Sequence, residues 1–363
     1  MESENNVKTI KYKHGFKTIP LYYGLEILHL LPIYLNKIKF DKIFVVLGNN
    51  VNRHWGNKIK EVLKDYNYKF IFSPVGEKSK TFGNYKRIID RLFKSNITKE
   101  SLILSIGGGT IGNLAGFIAS TIYRGIRFVH IPTTLIAQAD SSIGGKQAIN
   151  LIYGKNTLGS IYEPEFIFTD FAFLRTLPKK EIRSGIAESI KHALCQDSSF
   201  LISLSTKNNK NLSFEKIVER TFKLKIVSFK SNLNELNEPK IFIYGHEIGH
   251  VIESLSKGRL SHGESISIGM VCSAKISYKI GYLSKEDLEK HINILSKWNL
   301  PTKIPLKFKI NSIIAKLEKS GKIKNGDVDL VLLKEIGKPH GYKGKIGTPI
   351  KIKDLINYLK ECY

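Results

Sequence analysis

Along the first third of the chain, short apolar runs alternate with stretches of helical period. The run IPLYYG and the helix-like LEILHLLPIYLNKI come first, followed by a strand over 42–48 (KIFVVLG), a Gly-Asn-Asn turn and a helix over HWGNKIKEVLKDY. KFIFSP reads as the next strand, ending before Gly76 and Glu77, and a helix is predicted over 81–93. The strand SLILSIGGG, 101–109, opens into a helix over 111–123, and FVHIPTT, 128–134, is a further strand. Strands that alternate with helices pair in parallel and present ligands at their carboxyl ends. A mainly parallel, helix-covered α/β domain of the kind that holds a nucleotide is therefore expected. After Asp170 the strand pattern gives way. Arg175-Thr176-Leu177-Pro178 marks a boundary, and from Lys179 the chain is mostly of helical period. The expectation is an α/β domain over 1–178 and an α-helical domain over 179–363.

Length agrees with that division, because 363 residues exceed what one hydrophobic core usually organises. No apolar run approaches the roughly 18 residues of a membrane span. The opening MESENNVKTIKYKHG is too polar for a signal peptide, so the expected location is the cytoplasm. Cys195, Cys272 and Cys362 are widely separated, without a CxxC spacing, and read as free thiols. A net charge of +25 raises the question of nucleic acid. The lysines are dispersed, however, and form no basic block or nucleic-acid motif. A cleft for a phosphorylated small molecule accounts for part of the charge more economically.

Two glycine-rich stretches carry candidate binding chemistry. Gly107-Gly108-Gly109-Thr110-Ile111-Gly112 fits G-x-G-x-x-G between a strand and a helix, where glycines let the backbone approach a pyrophosphate and the helix N-terminus stabilises its charge. The acidic residue expected on the next strand is absent, since that strand ends His130-Ile131-Pro132-Thr133-Thr134. Either a dinucleotide binds by another arrangement or the turn binds nothing. The stretch 138–156, QADSSIGGKQAINLIYGKN, sets Asp140, Lys146, Lys155 and Asn156 among glycines and small residues. It reads as a loop wrapped around a polar ligand, with lysines for a phosphate and Asp140 for a hydroxyl, solvated loop charges being the alternative.

The densest chemistry lies at 244–264, YGHEIGHVIESLSKGRLSHGE. His246 and His250 share one helix face, and His262 follows a turn that can fold it back beside them. The string His246-Glu247-Ile248-Gly249-His250 matches the H-E-x-x-H of a zinc metalloprotease. Against that, Glu253 stands where a metzincin has Gly, the third His is displaced, and Glu264 lies in the next turn rather than on a later helix. Gly249 in mid-helix costs about 1 kcal/mol relative to Ala, which implies a close backbone approach. Two surface histidines on one helix are ordinary; a third followed by Gly-Glu argues for chemistry. Glu188, Lys191 and His192 lie three to four apart on an earlier helix, and Glu188 is the carboxylate that would complete an open, catalytic-zinc type of site.

The segments SIGGGTIGNLAGFIAS, YRGIRFVHIPTTLIAQADSSIGGKQAIN, GKNTLGSIYEPEFIFTD, LRTLPKKEIRSGIAESIKHAL, GHEIGHVIE and LSHGESISIGM, in that order, resemble the sugar-phosphate cyclase superfamily typified by 3-dehydroquinate synthase. The resemblance covers nearly the whole chain. It implies an NAD-binding α/β domain followed by a helical domain, one divalent metal (zinc or cobalt), a phosphorylated sugar as substrate and a homodimer. It implies Glu188, His246 and His262 as metal ligands, and His250, Lys146 and Lys191 as catalytic residues. NAD contacts fall to Gly107, Gly108, Gly109, Thr133 and Thr134, with Asn113 where the quinate enzymes have Asp. Glu77 and Lys80 preserve the GExxK motif, Asn50 stands in for an acidic residue replaced by Gly48, and Asp140, Lys146 and Lys155 complete the cofactor set. Substrate positions fall to Arg124, Asp140, Lys146, Asn156, Lys191, Lys225, His250 and Lys322. The implied chemistry is transient oxidation of a ring hydroxyl by NAD, elimination of phosphate, return of the hydride and an intramolecular aldol closure.

Glu247 departs from the Thr or Ser usual in the family, which creates the protease-like string by accident. Pro239 and Ile243 replace the Arg and Asn that help 3-dehydroquinate synthases bind a carboxylated substrate. Gln147 in KQAIN, Asn113 and SKGRLSHGE resemble 2-deoxy-scyllo-inosose synthase, which acts on glucose 6-phosphate; Ile243 also replaces the Glu of that enzyme, and SSIGGK is of quinate type. The inosose synthase reading is preferred, with 3-dehydroquinate synthase as the alternative. The intact set of Glu188, His246, His250 and His262 argues against a paralogue that keeps the fold without the metal.

Overall fold

A computed structural model describes residues 6–205, 213–230, 240–342 and 345–363. It divides into two compact units, one ending at Leu177 and the other beginning at Pro178. The first contains β1 (Lys8–His14), β2 (Lys17–Gly24), the short α1 (Leu31–Leu35), β3 (Ile43–Gly48), α2 (Asn49–Val62), β4 (Tyr68–Ser73), α3 (Phe82–Phe93), β5 (Leu102–Gly107), α4 (Gly109–Thr121) and β6 (Arg127–Pro132). It continues through β7 (Lys146–Leu151), β8 (Gly154–Ile161) and β9 (Phe166–Asp170). Seven strands form one sheet in the order β1-β2-β9-β6-β5-β3-β4, parallel throughout except for the β1–β2 hairpin.

β3 and β5 are buried at every position, as strands covered on both faces must be. Ile43, Val45 and Leu47 pack with residues of α1 and α2 on one face, whereas Phe44 and Val46 pack with residues of α3 and α4 on the other. The helix after β3 and the helix after β5 thus leave toward opposite faces. Between such strands the winding of the sheet reverses, and their carboxyl ends flank the crevice where α/β sheets of this kind take ligands.

Two sequence readings of this unit need correction. The stretch 138–156 is not a loop: Ala137–Ser141 makes a π-helical turn, and β7 and β8 then pair as an antiparallel hairpin. β8 is exposed along nearly its whole length, so it lacks the apolar alternation by which a strand is read. The helix-like LEILHLLPIYLNKI yields only a 3-10 turn, Leu28–Leu30, and the five residues of α1, because Pro32 can occupy only the first turn of a helix.

The second unit contains α5 (Lys179–Gln196), α6 (Ser198–Ser205), α7 (Phe214–Lys230), α8 (His246–Ser256), α9 (His262–Lys279), α10 (Lys285–Lys297) and α11 (Ile310–Lys319). It is not wholly helical. Short strands β10 (Ile323–Lys324) and β11 (Asp327–Leu330) join Thr348–Lys351 in a three-stranded antiparallel sheet before the last helix, Ile352–Lys360. Its core brings Ile248 and Ile252 of α8 and Ile268 and Ile276 of α9 together with Ile313, Leu330 and Leu355. The three cysteines are free and buried. Among the described residues no helix is long and apolar enough to cross a membrane.

Each unit buries a histidine in its neutral form. His130 on β6 meets Ser105 Oγ at 3.2 Å, and burial pushes its pKa from 6.5 down to about 4. His291 on α10 donates from Nδ1 to the Asp287 carbonyl at 2.7 Å, and burial likewise lowers it to about 4. The unfolded chain then binds more protons between these values, so stability is constant above pH 6.5 and falls as the pH drops toward 4. Each histidine contributes a loss of about 2 kcal/mol between pH 7.5 and pH 5. Urea denaturation at the two pH values checks this: His130→Gln should remove about 2 kcal/mol of the difference, and an unchanged difference would contradict it.

Candidate functional site

Close helix packing builds the histidine cluster. Gly245 precedes α8 in a left-handed conformation (φ 74°), and a Cβ there would lie 2.6 Å from Met270 of α9. A Cβ on Gly249 would lie 2.9 Å from Ile266 Cα, and one on Gly269 only 1.9 Å from the Gly245 carbonyl oxygen. The approach implied by Gly249 is therefore that of α8 to α9. His262 is the first residue of α9, and Glu264 lies on that later helix rather than in the turn before it. The position of His262 is fixed by a capping box in which Ser261 Oγ accepts from Glu264 N–H and Glu264 Oε2 accepts from Ser261 N–H at 2.7 Å. Glu264 is thus committed to the cap.

From α5, Glu188 and Lys191 enter the same place, each only 2 % exposed. Glu188 Oε1 lies 3.3 Å from His246 Nε2 and 3.2 Å from His262 Nε2, while Lys191 Nζ holds Oε2 at 2.6 Å. The other ring nitrogens are occupied. His246 Nδ1 lies 3.1 Å from the Tyr244 carbonyl, and His262 Nδ1 lies 3.0 Å from Glu253 Oε2, so each Nδ1 is the donor. With both rings neutral, both Nε2 lone pairs would face a carboxylate oxygen, an arrangement that a proton on Nε2 or a metal cation between the three groups relieves. Ligands about 2.1 Å from a tetrahedral zinc are about 3.4 Å apart, which matches these separations. Tyr244 and Glu253 supply the outer hydrogen bonds that orient metal-binding imidazoles.

Electrostatics follow from this crowding. Burial would raise the Glu188 carboxyl, but Lys191, His246 and His262 hold it well below its ordinary value. Burial would lower His262, yet its bonds to Glu188 and Glu253 lift it to about 9, whereas burial prevails at His246 and lowers it. His246, His250 and His262 also present ring nitrogens within 4.8 Å of one another, so the exposed His250 offers an alternative third donor.

Glu247 looks elsewhere. Its Oε1 accepts from Val331 N–H at 2.9 Å, and Lys322 Nζ donates to the carbonyls of His246 and Glu247 at 3.1 and 2.9 Å. The glutamate of the H-E-x-x-H string thus points away from the two histidines, and burial raises its carboxyl to about 7. His192 packs on Phe242 and Gln196 rather than joining Glu188. Phe242 also receives Lys191 Nζ at 6.0 Å and Lys225 Nζ at 5.5 Å from its centroid, two buried ammonium groups over one ring. A cavity of about 550 Å³ opens beside the cluster, lined by Ile243, His246, Glu247, His250, Lys322 and Asp329 among others. Pro239 lies outside the described residues.

In the first unit, the carboxyl ends of β3 and β5 carry Gly48 and Gly107-Gly108-Gly109. A Cβ on Gly108 would lie 2.7 Å from Thr134 Cγ2, and one on Gly109 2.8 Å from Ser141 Oγ. These glycines keep the N-terminus of α4 open, with no acidic residue in its first turn, as a cradle for a pyrophosphate requires. Thr133 N–H donates to the Gly107 carbonyl at 3.0 Å. Asn50 folds over Gly48 in the first turn of α2. Oriented to satisfy both ends of its amide, Asn113 accepts from Lys80 Nζ at 3.0 Å and donates to the Lys146 carbonyl at 3.1 Å. Lys80, 4 % exposed, also donates to Asn156, and Glu77 accepts from Asn150 Nδ2 at 2.6 Å. Lys155 sits on β8 near enough to depress Lys80 further, and Asp140 lies in the π-helical turn. Arg124 follows α4 with φ 65°, exposed and in an unusual left-handed conformation for its residue type.

Sequence reasoning missed two participants. Glu253 falls seven residues after His246, on the same helix face, a spacing that could have marked it. Ser141, whose buried hydroxyl finds no partner among the described residues, lies beside Gly109 and gives no distinct sequence signal. The helix contact also yields a test. Gly269→Ala should destabilise the protein by about 3 kcal/mol or more, since the methyl meets backbone that cannot yield; a thermal midpoint equal to the native one would contradict the α8–α9 packing.

Comparison with known proteins places this geometry. A family model described as 3-dehydroquinate synthase N-terminal matches residues 70–184, and one described as 3-dehydroquinate synthase C-terminal matches residues 185–323. The 3-dehydroquinate synthase of Desulforamulus reducens is 34% identical over 97% of this chain and 99% of its own. That of Prochlorococcus marinus (strain MIT 9312) is 36% identical over 85% of this chain and 87% of its own. Among solved structures, a 2-deoxy-scyllo-inosose synthase complexed with carbaglucose-6-phosphate, NAD+ and Co2+ superposes with a TM-score of 0.87 at 27% identity, covering 98% of this chain and 100% of the other. The family resemblance read from the motifs and the mainly parallel α/β fold with a helical region are both borne out, and the chain belongs to the 3-dehydroquinate synthase family of sugar-phosphate cyclases, which are enzymes.

Proposed function

We propose that the chain uses NAD and one divalent metal, zinc or cobalt, to eliminate phosphate from a sugar phosphate and close a carbocycle, acting as a homodimer. The observation that carries the metal reading is the convergence of one Glu188 oxygen and two imidazole Nε2 atoms at 3.2 and 3.3 Å, the separation of ligands around one zinc. Glu188, His246 and His262 would hold the metal, and Gly107, Gly108, Gly109, Thr133, Thr134 and Ser141 would border the NAD pyrophosphate. When bound, NAD supplies reversible hydride acceptance and the metal polarises substrate oxygens. Lys191 and Lys225 place two buried positive charges where negative charge develops on the ring oxygen and its neighbouring carbon. His250, exposed beside His246 at the cavity, is placed to move a proton between substrate and solvent. Lys146, Asn156 and Arg124 are assigned to the phosphorylated end.

Substrate choice turns on the cavity wall. Ile243 supplies no polar group, and no arginine lines the cavity among the described residues. Lys240 there is paired with Asp329, Lys322 is engaged by two carbonyls, and Lys324 lies at the exposed rim. A carboxylate buried without a well-placed cationic partner is costly, which favours a sugar phosphate that carries no carboxylate, such as glucose 6-phosphate. The second reading, 3-dehydroquinate synthase, is favoured by relatives of that name at 34% to 36% identity.

Phosphate release, measured with NAD and Co2+, separates the two. Glucose 6-phosphate should exceed 3-deoxy-arabino-heptulosonate 7-phosphate in kcat/KM, and Pro239→Arg combined with Ile243→Asn should improve the heptulosonate by about 10- to 100-fold. Efficient turnover of the heptulosonate alone by the native protein would overturn this choice. His262→Ala should leave the protein without bound metal and without turnover, and Glu253→Gln should weaken metal affinity by about 10- to 100-fold; full occupancy in the first variant, by elemental analysis, would refute the ligand set. Glu247→Thr should retain turnover, since its carboxylate faces Val331; abolished turnover with metal still bound would overturn that.

A further inference from the structure

The N-terminal hairpin meets a buried carboxylate that the proposed chemistry does not use. Glu163, in the segment between β8 and β9, is 8 % exposed. Its Oε2 accepts from Tyr12 Oη at 2.8 Å and its Oε1 accepts from His14 Nδ1 at 2.7 Å, both on β1, while Lys17 Nζ donates to its carbonyl at 3.3 Å. Tyr12 is 1 % exposed, and burial, then the Glu163 charge, keeps its hydroxyl protonated well above its ordinary range.

The cluster therefore grips a turn. Gly144 and Gly145 both have positive φ, 101° and 60°, and a Cβ on Gly145 would lie 2.9 Å from the Glu163 carboxyl carbon. The Gly145 carbonyl accepts from Tyr162 N–H at 2.8 Å, and the next residue is Lys146. Lys146 is in turn held at its own carbonyl by Asn113, one turn into α4 from the glycine cradle. Its backbone is thus fixed from two sides, one of them through the Tyr12–Glu163–His14 cluster.

We infer that Tyr12, Glu163 and His14 are positioning residues that set the Gly144-Gly145 turn and thereby aim Lys146 at the phosphorylated end of the substrate. This rests on the proposed role of Lys146. A displacement of about 1 Å in such a group costs up to about 100-fold in rate, which is enough to account for setting two buried polar side chains and the half-buried His14 behind one turn.

A double-mutant cycle reads the coupling. Tyr12→Phe, Glu163→Gln, Lys146→Ala and the two double variants are compared in titrations of inorganic phosphate and in kcat/KM for glucose 6-phosphate and the heptulosonate. Binding of NAD and metal content are followed in parallel. Tyr12→Phe and Glu163→Gln should each weaken phosphate binding and kcat/KM by about 10- to 100-fold with NAD affinity unchanged. In the Lys146→Ala background neither should add a further loss. Additive losses, or an equal loss of NAD affinity, mean that the cluster only stabilises the unit, and the inference falls. Lys146→Ala without effect on phosphate binding also overturns it. The phosphate titration gives its answer whichever sugar phosphate is turned over, so failure of the substrate reading is distinguishable from failure of this one.

Discussion

A carboxylate sealed inside the second unit is the constraint from which the site follows. Glu188 is ionised at 2 % exposure, and a buried charge survives only when opposite charge surrounds it. Lys191 neutralises one oxygen; the other faces the Nε2 atoms of His246 and His262. Those histidines can meet it only because α8 and α9 approach to backbone contact through Gly245, Gly249 and Gly269, and because the Ser261–Glu264 cap sets the first residue of α9. Packing, capping and the chemistry of the donor set thus answer one electrostatic demand.

The first unit meets the opposite demand. Between β3 and β5 the sheet ends in glycines and an open helix N-terminus, and the nearby polar groups are the amides of Asn50 and Asn113 and the buried Lys80. Such a surface has room for backbone contact with an anion and carries little charge that would repel it. The net positive charge of the chain acts in the same direction. The second unit, by contrast, gathers buried ammonium groups, those of Lys191 and Lys225, around Phe242.

Much of this was legible in the chain. β3 is a continuous apolar run and β5 and β6 are mostly apolar, and their alternation with amphipathic helices indicates the α/β class. His246 and His250 declared themselves by spacing, and Gly249 by its cost in a helix. What stayed hidden depended on tertiary contact. β8 is exposed and has no hydrophobic period, and Ser141 meets Gly109 only in the fold; Glu188, although 74 residues from His262, was readable as the completing carboxylate. The S-H-G-E start of α9 is readable as a capping box from the chain alone. Glu247 shows the reverse error that a motif allows: the string H-E-x-x-H is present, yet the glutamate bonds Val331. Tyr12, His14 and Glu163 carry no motif, and only the fold brings β1 to the segment after β8.

The central claim is the identity of the ligand set, since three histidines lie within 4.8 Å of one another beside the carboxylate. X-ray absorption on the zinc-loaded protein tests it directly, because imidazole rings give multiple-scattering features that a carboxylate does not. The account predicts two imidazoles and one protein carboxylate oxygen in the coordination sphere, unchanged by His250→Ala, whereas His262→Ala retains no metal to measure. A sphere of three imidazoles that loses one in His250→Ala would contradict it.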